Sequence, residues 1–211
     1  MSQEEHKVWY ACYGSNLLEE RFRCYIGGGQ PKGAHRIYPG CTNKTFPTRT
    51  KGLLINREMY FAKISKTWSG GGAAFIKSDF DKNVETLGRM YLITSQQFVD
   101  LVQQEIKFEG DFDINLEKVI KEGSLDMKNK SWYGQINHLG EEEGYPIFTF
   151  TNEEYLENEI NAPNEHYLKI IIEGLKETYQ MTDTEIENYL KTKEGIKDFP
   201  IEAKLLQLIM S

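Results

Sequence analysis

The chain has little of what the commoner catalytic devices are built from. Its three cysteines, Cys12, Cys24 and Cys41, are odd in number and form no C-x-x-C pair. That excludes a disulfide framework and fits a reducing, cytoplasmic setting, with Cys12 read as a small buried strand residue. Its histidines, His6, His35, His138 and His166, have no partner at metal-ligand spacing, so a zinc site is not expected. No apolar run approaches membrane length, and the start Met1-Ser2-Gln3-Glu4-Glu5-His6-Lys7 is polar. Neither a signal peptide nor a membrane span is therefore predicted. Positive charge is in deficit: a net charge of −7 argues against a nucleic-acid or anionic-membrane partner. Phosphate-loop and nucleophile-elbow patterns are both missing, as are internal repeats.

What is present is globular. A chain of 211 residues with 39% hydrophobic and 12% aromatic content can bury a real core, and it reads as one domain over 1–211. The densest information lies in Val8-Trp9-Tyr10-Ala11-Cys12-Tyr13-Gly14-Ser15-Asn16. Its first half lacks alternation, as in a strand buried on both faces. Gly14-Ser15-Asn16 is turn chemistry, and Ser15 or Asn16 is placed to cap the helix that Leu17, Leu18, Arg21, Phe22 and Tyr25 trace at helical spacing. Strand, tight turn and helix start can present backbone N–H groups to an anion or oxyanion. A plain strand–turn–helix connection accounts for the same residues equally well.

Downstream, residues 27–50 form a Gly-, Pro- and Lys-rich loop. Its His35, Arg36, Lys44 and Arg49, with Lys51 just beyond, suit either solvent or a substrate carboxylate. Gly52–Asn56 and Met59–Ile64 read as a hairpin about Asn56-Arg57-Glu58. Gly70-Gly71-Gly72 marks either close backbone approach, to a ligand or to another strand, or simple turn geometry. Thr86–Ile93 is a strand, and Thr94 with Gln97 signals a capping box for a helix over 95–105. Phe98, Leu101 and Val102 line one face of that helix, and Glu105 ends the stripe. A carboxylate there either ends the helix in solvent, pairs with Lys107, or works as a general acid/base. Residues 106–130 are a charged elaboration with a short helix near Leu116–Ile120. Residues 131–138 and 145–150 read as paired strands about an acidic loop. Pro163 opens the longest helix, with Tyr167 on its apolar stripe, and further helices follow 180.

Tyr10-Ala11-Cys12-Tyr13-Gly14-Ser15-Asn16-Leu17 resembles the Y-x-x-Y-G-S-N-L signature of the gamma-glutamylcyclotransferase-like family, whose fold is of the butirosin-pathway cyclotransferase type. Three later segments resemble the family in the same order. Thr67–Ala73 is similar to T-W-x-G-G-x-A. Gly88…Tyr91…Thr94-Ser95…Phe98…Leu101…Gln104-Glu105 is similar to the strand–helix segment that ends in the catalytic Glu. Ala162-Pro163…Tyr167…Ile171 is similar to A-P-x-x-x-Y-x-x-x-I. In many members a Gly follows the Glu; here Ile106 does. The resemblance implies an α+β fold, a small mixed β-barrel flanked by helices, without metal or cofactor. It implies Glu105 as the catalytic residue. It also implies a substrate site of Tyr10, Ala11, Cys12, Tyr13, Gly14, Ser15, Asn16 and Tyr167. The implied partner is a small gamma-glutamyl amide, cyclised to 5-oxoproline with release of an amine. Acyl transfer or amide hydrolysis on a larger amine, and a non-catalytic metabolite-binding module on the same barrel, are the alternatives. The amine and the oligomeric state stay open.

Overall fold

In the computed structural model, residues 6–31, 36–110, 112–127 and 131–211 are described. The polar start before His6, the loop residue His35, and Asp111, Lys128 and Lys130 of the charged elaboration lie outside them. The chain divides into two compact units that alternate along the sequence. Unit 1 is Met1–Ala11, Glu20–Lys51 and Met90–Glu153; unit 2 is Cys12–Glu19, Gly52–Arg89 and Glu154–Ser211. The fold is α+β, as expected, and among the described residues the strands form one six-stranded and one two-stranded sheet.

Unit 1 is organised on strand β1 (Lys7–Cys12), whose residues from Val8 onward are all buried, as its non-alternating sequence predicts. The mixed sheet runs β2-β5-β1-β8-β7-β6. To unit 1, β2 (Thr50–Ile55) gives Thr50 and Lys51, and β5 (Thr86–Thr94) gives its half from Met90. β1 pairs parallel with β8 (Tyr145–Thr151), and β8 pairs antiparallel with β7 (Gln135–Glu142). Over this sheet the rings of Tyr10, Phe22, Tyr91, Phe98, Phe148 and Phe150 stack on one another, with Phe22 and Tyr91 3.9 Å apart. Such pairs add about 0.5–1.5 kcal/mol each beyond the area they bury.

The acidic connector is shorter than the sequence suggests. Leu139–Glu142 belong to β7, and the turn is Glu143-Gly144 alone, with φ of 54° and 80°. Both residues lie in the left-handed region that a two-residue hairpin turn demands. The acidic run tolerates strand pairing because Lys51 Nζ reaches both Glu142 and Glu143. The charged elaboration folds as α3 (Leu116–Glu122), capped by the Asn115 side chain and ended by Gly123 at φ 81°. Its continuation β6 (Ser124–Asp126) joins the edge of the sheet against β7.

In unit 2 the expected hairpin of β2 with β3 (Met59–Ala62) does not form: β3 pairs with β4 (Ala73–Ile76) instead. Every residue of β3 is buried, and its other edge bridges to Ile160 and Glu194. A strand with both faces and both edges covered needs partners from afar, and Arg57 N–H turns back on Ile55 without starting a ladder. The triple glycine divides: Gly70 takes a left-handed turn conformation at φ 88° with open space beside it, while Gly71 and Gly72 lie against backbone. A Cβ at Gly71 would sit 2.4 Å from Asn164 N, and one at Gly72 2.1 Å from Asn161 O. Asn161 Nδ2 further holds the carbonyls of Lys63 and Gly70, each at 2.8 Å. The helices are α4 (Glu165–Tyr179), α5 (Asp183–Leu190) and α6 (Leu205–Met210). Asn164, rather than Pro163, opens α4, its side chain accepting from Tyr167 N–H at 2.7 Å.

Gly72→Ala is expected to lower unfolding stability by about 2 kcal/mol or more, read by urea denaturation, because the clash is with backbone and has no soft side to yield. Lys193 gives a second expectation. The residue is 7% exposed, and burial pushes its pKa down to about 8 despite Glu58 nearby. Below that pH the folded state holds an ammonium that the unfolded chain would hold more cheaply. Lys193→Met is therefore expected to stabilise the protein by about 1–3 kcal/mol at pH 7, with the gain shrinking as the pH rises from 8 towards 10.

Candidate functional site

Helix α2 (Ser95–Ile106) carries Glu105 in its last turn. The predicted capping box is present: Thr94 Oγ1 accepts from Gln97 N–H, and Gln97 Oε1 accepts from Thr94 N–H at 3.0 Å. The helix ends at Lys107, in the left-handed conformation at φ 54°, which does without the glycine common in the family at the preceding position. Gln97 also donates to the carbonyls of Asn43 and Thr45, and Thr42 N–H donates to Asp100 Oδ2 at 2.6 Å. The start of the helix is thus fixed to the loop after α1 (Glu19–Gly27).

Glu105 is half-buried, and its Oε1 accepts a hydrogen bond from the Tyr25 hydroxyl of α1. It is therefore neither a bare solvent end nor a Lys107 pair. Burial pushes the Tyr25 phenol well above its ordinary pKa, and the neighbouring Glu105 carboxylate pushes it the same way. Tyr25 thus stays protonated as the donor, and Glu105 is the acceptor. The Tyr25 ring lies 4.2 Å from that of Tyr38, whose hydroxyl takes a 2.9 Å hydrogen bond from Arg21 Nη2. Arg36 stacks over Tyr38 at 4.5 Å and donates to the Gln104 carbonyl. One phenol therefore meets the carboxylate directly, and Tyr38, Arg21 and Arg36 pack behind it. From the sequence Tyr25 reads only as a member of the helical stripe, and Arg36 as one basic loop residue among several. The signal for Tyr25 is its burial on a helix facing another helix's terminal carboxylate, and pairing across loops does not show in a linear sequence.

The residues of the signature divide. Tyr10 and Ala11 lie in unit 1, buried, with the Tyr10 ring stacked against Phe22 and Phe150. Cys12 is buried in unit 2, its thiol donating to the Arg89 carbonyl at 3.2 Å, and burial pushes its pKa up to about 12. Cys41 in unit 1 is likewise pushed up to about 12. Both are thiols without nucleophilic character near neutral pH. Tyr13 and Asn16 are buried, and Ser15 is half-buried. Ser15 and Asn16 do not cap α1, contrary to expectation. They lie inside a one-turn 3-10 helix, Ser15–Leu17, closed by Leu17 N–H to Gly14 O at 3.0 Å, and α1 starts only at Glu19.

Three groups of unit 2 fix this turn. Arg89 Nη1 donates to the Leu17 carbonyl at 3.1 Å and to Glu177, and Nη2 reaches Glu19 at 2.8 Å. Gly174 of α4 lets the turn approach, since a Cβ there would stand 2.5 Å from Leu17 Cβ. Tyr167 hydroxyl accepts from Ala74 N–H at 3.2 Å and stands 3.0 Å from where a Cβ on Gly14 would be. Its ring stacks on Trp68 at 4.2 Å, so the predicted site residues Tyr167 and Gly14 are brought together. Among the described residues no group of three or more His, Cys, Asp or Glu side chains could hold a metal ion. No described helix is long and apolar enough to cross a membrane.

No family model matches the chain. Among solved structures it is similar to a gamma-glutamyl cyclotransferase, with a TM-score of 0.50 and 18% identity over 96% of this chain and 99% of that one. It is similar also to a protein from Homo sapiens described as uncharacterized, with a TM-score of 0.50 and 19% identity over 96% of this chain and 99% of that one. The chain thus has the gamma-glutamyl cyclotransferase fold. In sequence it is 34% identical over 198 residues to histone deacetylase 5 of Arabidopsis thaliana, a match covering 87% of this chain and 30% of that protein.

Arg89→Leu is expected to lower unfolding stability by about 2–4 kcal/mol, because Glu19, Glu177 and the Leu17 carbonyl lose a shared donor. Guanidinium denaturation measures it, and a loss below about 0.5 kcal/mol would show that the turn is held by other means.

Proposed function

We propose that the protein is a cyclotransferase that releases 5-oxoproline and a free amine from a gamma-glutamyl amide. The observation that carries this reading is the half-buried Glu105 carboxylate, held by Tyr25 at the end of α2, in a chain with the cyclotransferase fold. The reaction is an intramolecular aminolysis on a small-molecule substrate. Glu105 takes a proton from the substrate's α-amino group. The nitrogen attacks the γ-carbonyl carbon, backbone N–H groups of Tyr13-Gly14-Ser15 stabilise the oxyanion, and Glu105 returns the proton to the leaving amine as the C–N bond breaks. The nucleophile is already part of the substrate, so a bound, folded conformation supplies much of the rate. One positioned carboxylate and one set of oxyanion donors then suffice. Tyr167, close to Gly14, is assigned to shape the substrate side of the turn. The high pKa of Cys12 and Cys41 supports the reading from another side, since neither is suited to form an acyl-enzyme. The reaction uses no cofactor, and its setting is the cytoplasm. The whole chain, 1–211, acts as one functional domain.

The test is a panel of gamma-glutamyl amides incubated with the protein and assayed for 5-oxoproline and for glutamate. Release of 5-oxoproline is the expected result; glutamate alone would replace cyclisation by hydrolysis. In Glu105→Gln, turnover is expected to fall about 100-fold or more with the fold intact by circular dichroism. Turnover within about twofold of wild type would remove Glu105 from the mechanism.

A further inference from the structure

We infer that Tyr25 is a positioning residue for Glu105: its buried hydroxyl engages Oε1, which aims the carboxylate and leaves Oε2 as the oxygen that accepts and returns the proton. The inference rests on the cyclotransferase reading for its chemistry, and on unit 1 alone for its geometry.

Tyr25 is buried, and its hydroxyl has the Glu105 carboxylate as acceptor. A buried phenol that must donate fixes the rotamer of the group it donates to, since breaking the bond would strand a buried polar group. The phenol is itself fixed. Its ring lies against Tyr38, which is clamped by Arg21 at the hydroxyl and by Arg36 over the ring. Arg36 closes the circuit at the Gln104 carbonyl, one residue before Glu105. Tyr25 is thus the group that meets the carboxylate, while Tyr38, Arg21 and Arg36 hold the Tyr25 ring and the end of α2 in place. Deleting the hydroxyl removes a hydrogen bond that the ionised carboxylate accepts. In the reaction the substrate N–H proton passes to Oε2 as the new C–N bond forms. The same proton leaves from Oε2 to the departing nitrogen, so Glu105 and the Tyr25 hydroxyl end the cycle unchanged.

The experiment compares wild type and Tyr25→Phe, which keeps the ring against Tyr38 and deletes the donor. Expected are a kcat about 10-fold lower, a KM within about twofold, and an acid limb of the pH–rate profile moved up by about one unit. A merely structural tyrosine would leave that limb in place, and an unmoved limb with wild-type kcat overturns the inference. The carboxyl resonance of Glu105 in 13C-labelled protein, titrated in both proteins, reads the same coupling without turnover. If no amide yields 5-oxoproline, the functional reading fails, and this titration alone decides the positioning claim: identical curves overturn it and displaced curves support it. If Tyr25→Phe does not fold, 3,5-difluorotyrosine at position 25 replaces it. A more acidic phenol donates more strongly, so the titration is expected to move down, and no movement overturns the claim.

Discussion

The guanidinium of Arg89 is the constraint on which unit 2 depends. Its side chain is 6% exposed, yet it meets two carboxylates and a backbone carbonyl. Burying that charge is costly, and only a near-complete set of acceptors offsets it. The set is drawn from two well-separated parts of the chain: Leu17 in the 3-10 turn with Glu19 at the start of α1, and Glu177 near the end of α4. Since all three must be present together, the turn cannot drift without leaving a buried charge unpaired. Gly174 and Tyr167 act in the same direction, the first by permitting contact and the second by placing a hydroxyl next to Gly14. The oxyanion role proposed for this turn would gain from such rigidity, because preorganised donors need no rearrangement as charge develops.

Much of this is legible along the chain. The buried β1, the capping box at Thr94, the Glu105 stripe, the short α3 and the stripe of α4 all follow local rules, and local rules hold where side chain and backbone interact within one turn. The readings that fail concern pairing between distant segments. Adjacency in sequence assigns β3 to β2, but its four buried residues are covered by β4 on one edge and by Ile160 and Glu194 on the other. The cap signal after Gly14 places the helix start too early, because a 3-10 turn intervenes before Glu19. That signal is genuine turn chemistry satisfied in another way.

The glycines divide along the same line. The β7–β8 hairpin makes its turn with a single glycine: Glu143 itself takes the left-handed conformation before Gly144. Gly71 and Gly72, by contrast, lie outside the left-handed region and are required only because the 161–164 backbone lies against them. The sequence leaves close approach and turn geometry equally open; only the fold shows backbone against Gly71 and Gly72, fastened by Asn161. Asn164 Nδ2 also donates to the Trp68 carbonyl at 2.6 Å, so the cap of α4 is tied to the residue on whose ring Tyr167 stacks.

The chemistry of unit 1 has its own economy. Glu105 sits at the C-terminal end of a helix, where the macrodipole disfavours a carboxylate. Tyr25 donates to it directly, while Arg21 and Arg36 engage Tyr38 and the Gln104 carbonyl. A carboxylate needed only as a proton carrier has to be ionised when substrate binds and protonated for part of one turnover. A neutral donor such as the Tyr25 hydroxyl fixes the geometry of such a group without the locked ion pair that a direct Arg–carboxylate contact would make. That arrangement suits an acid/base role better than a structural one.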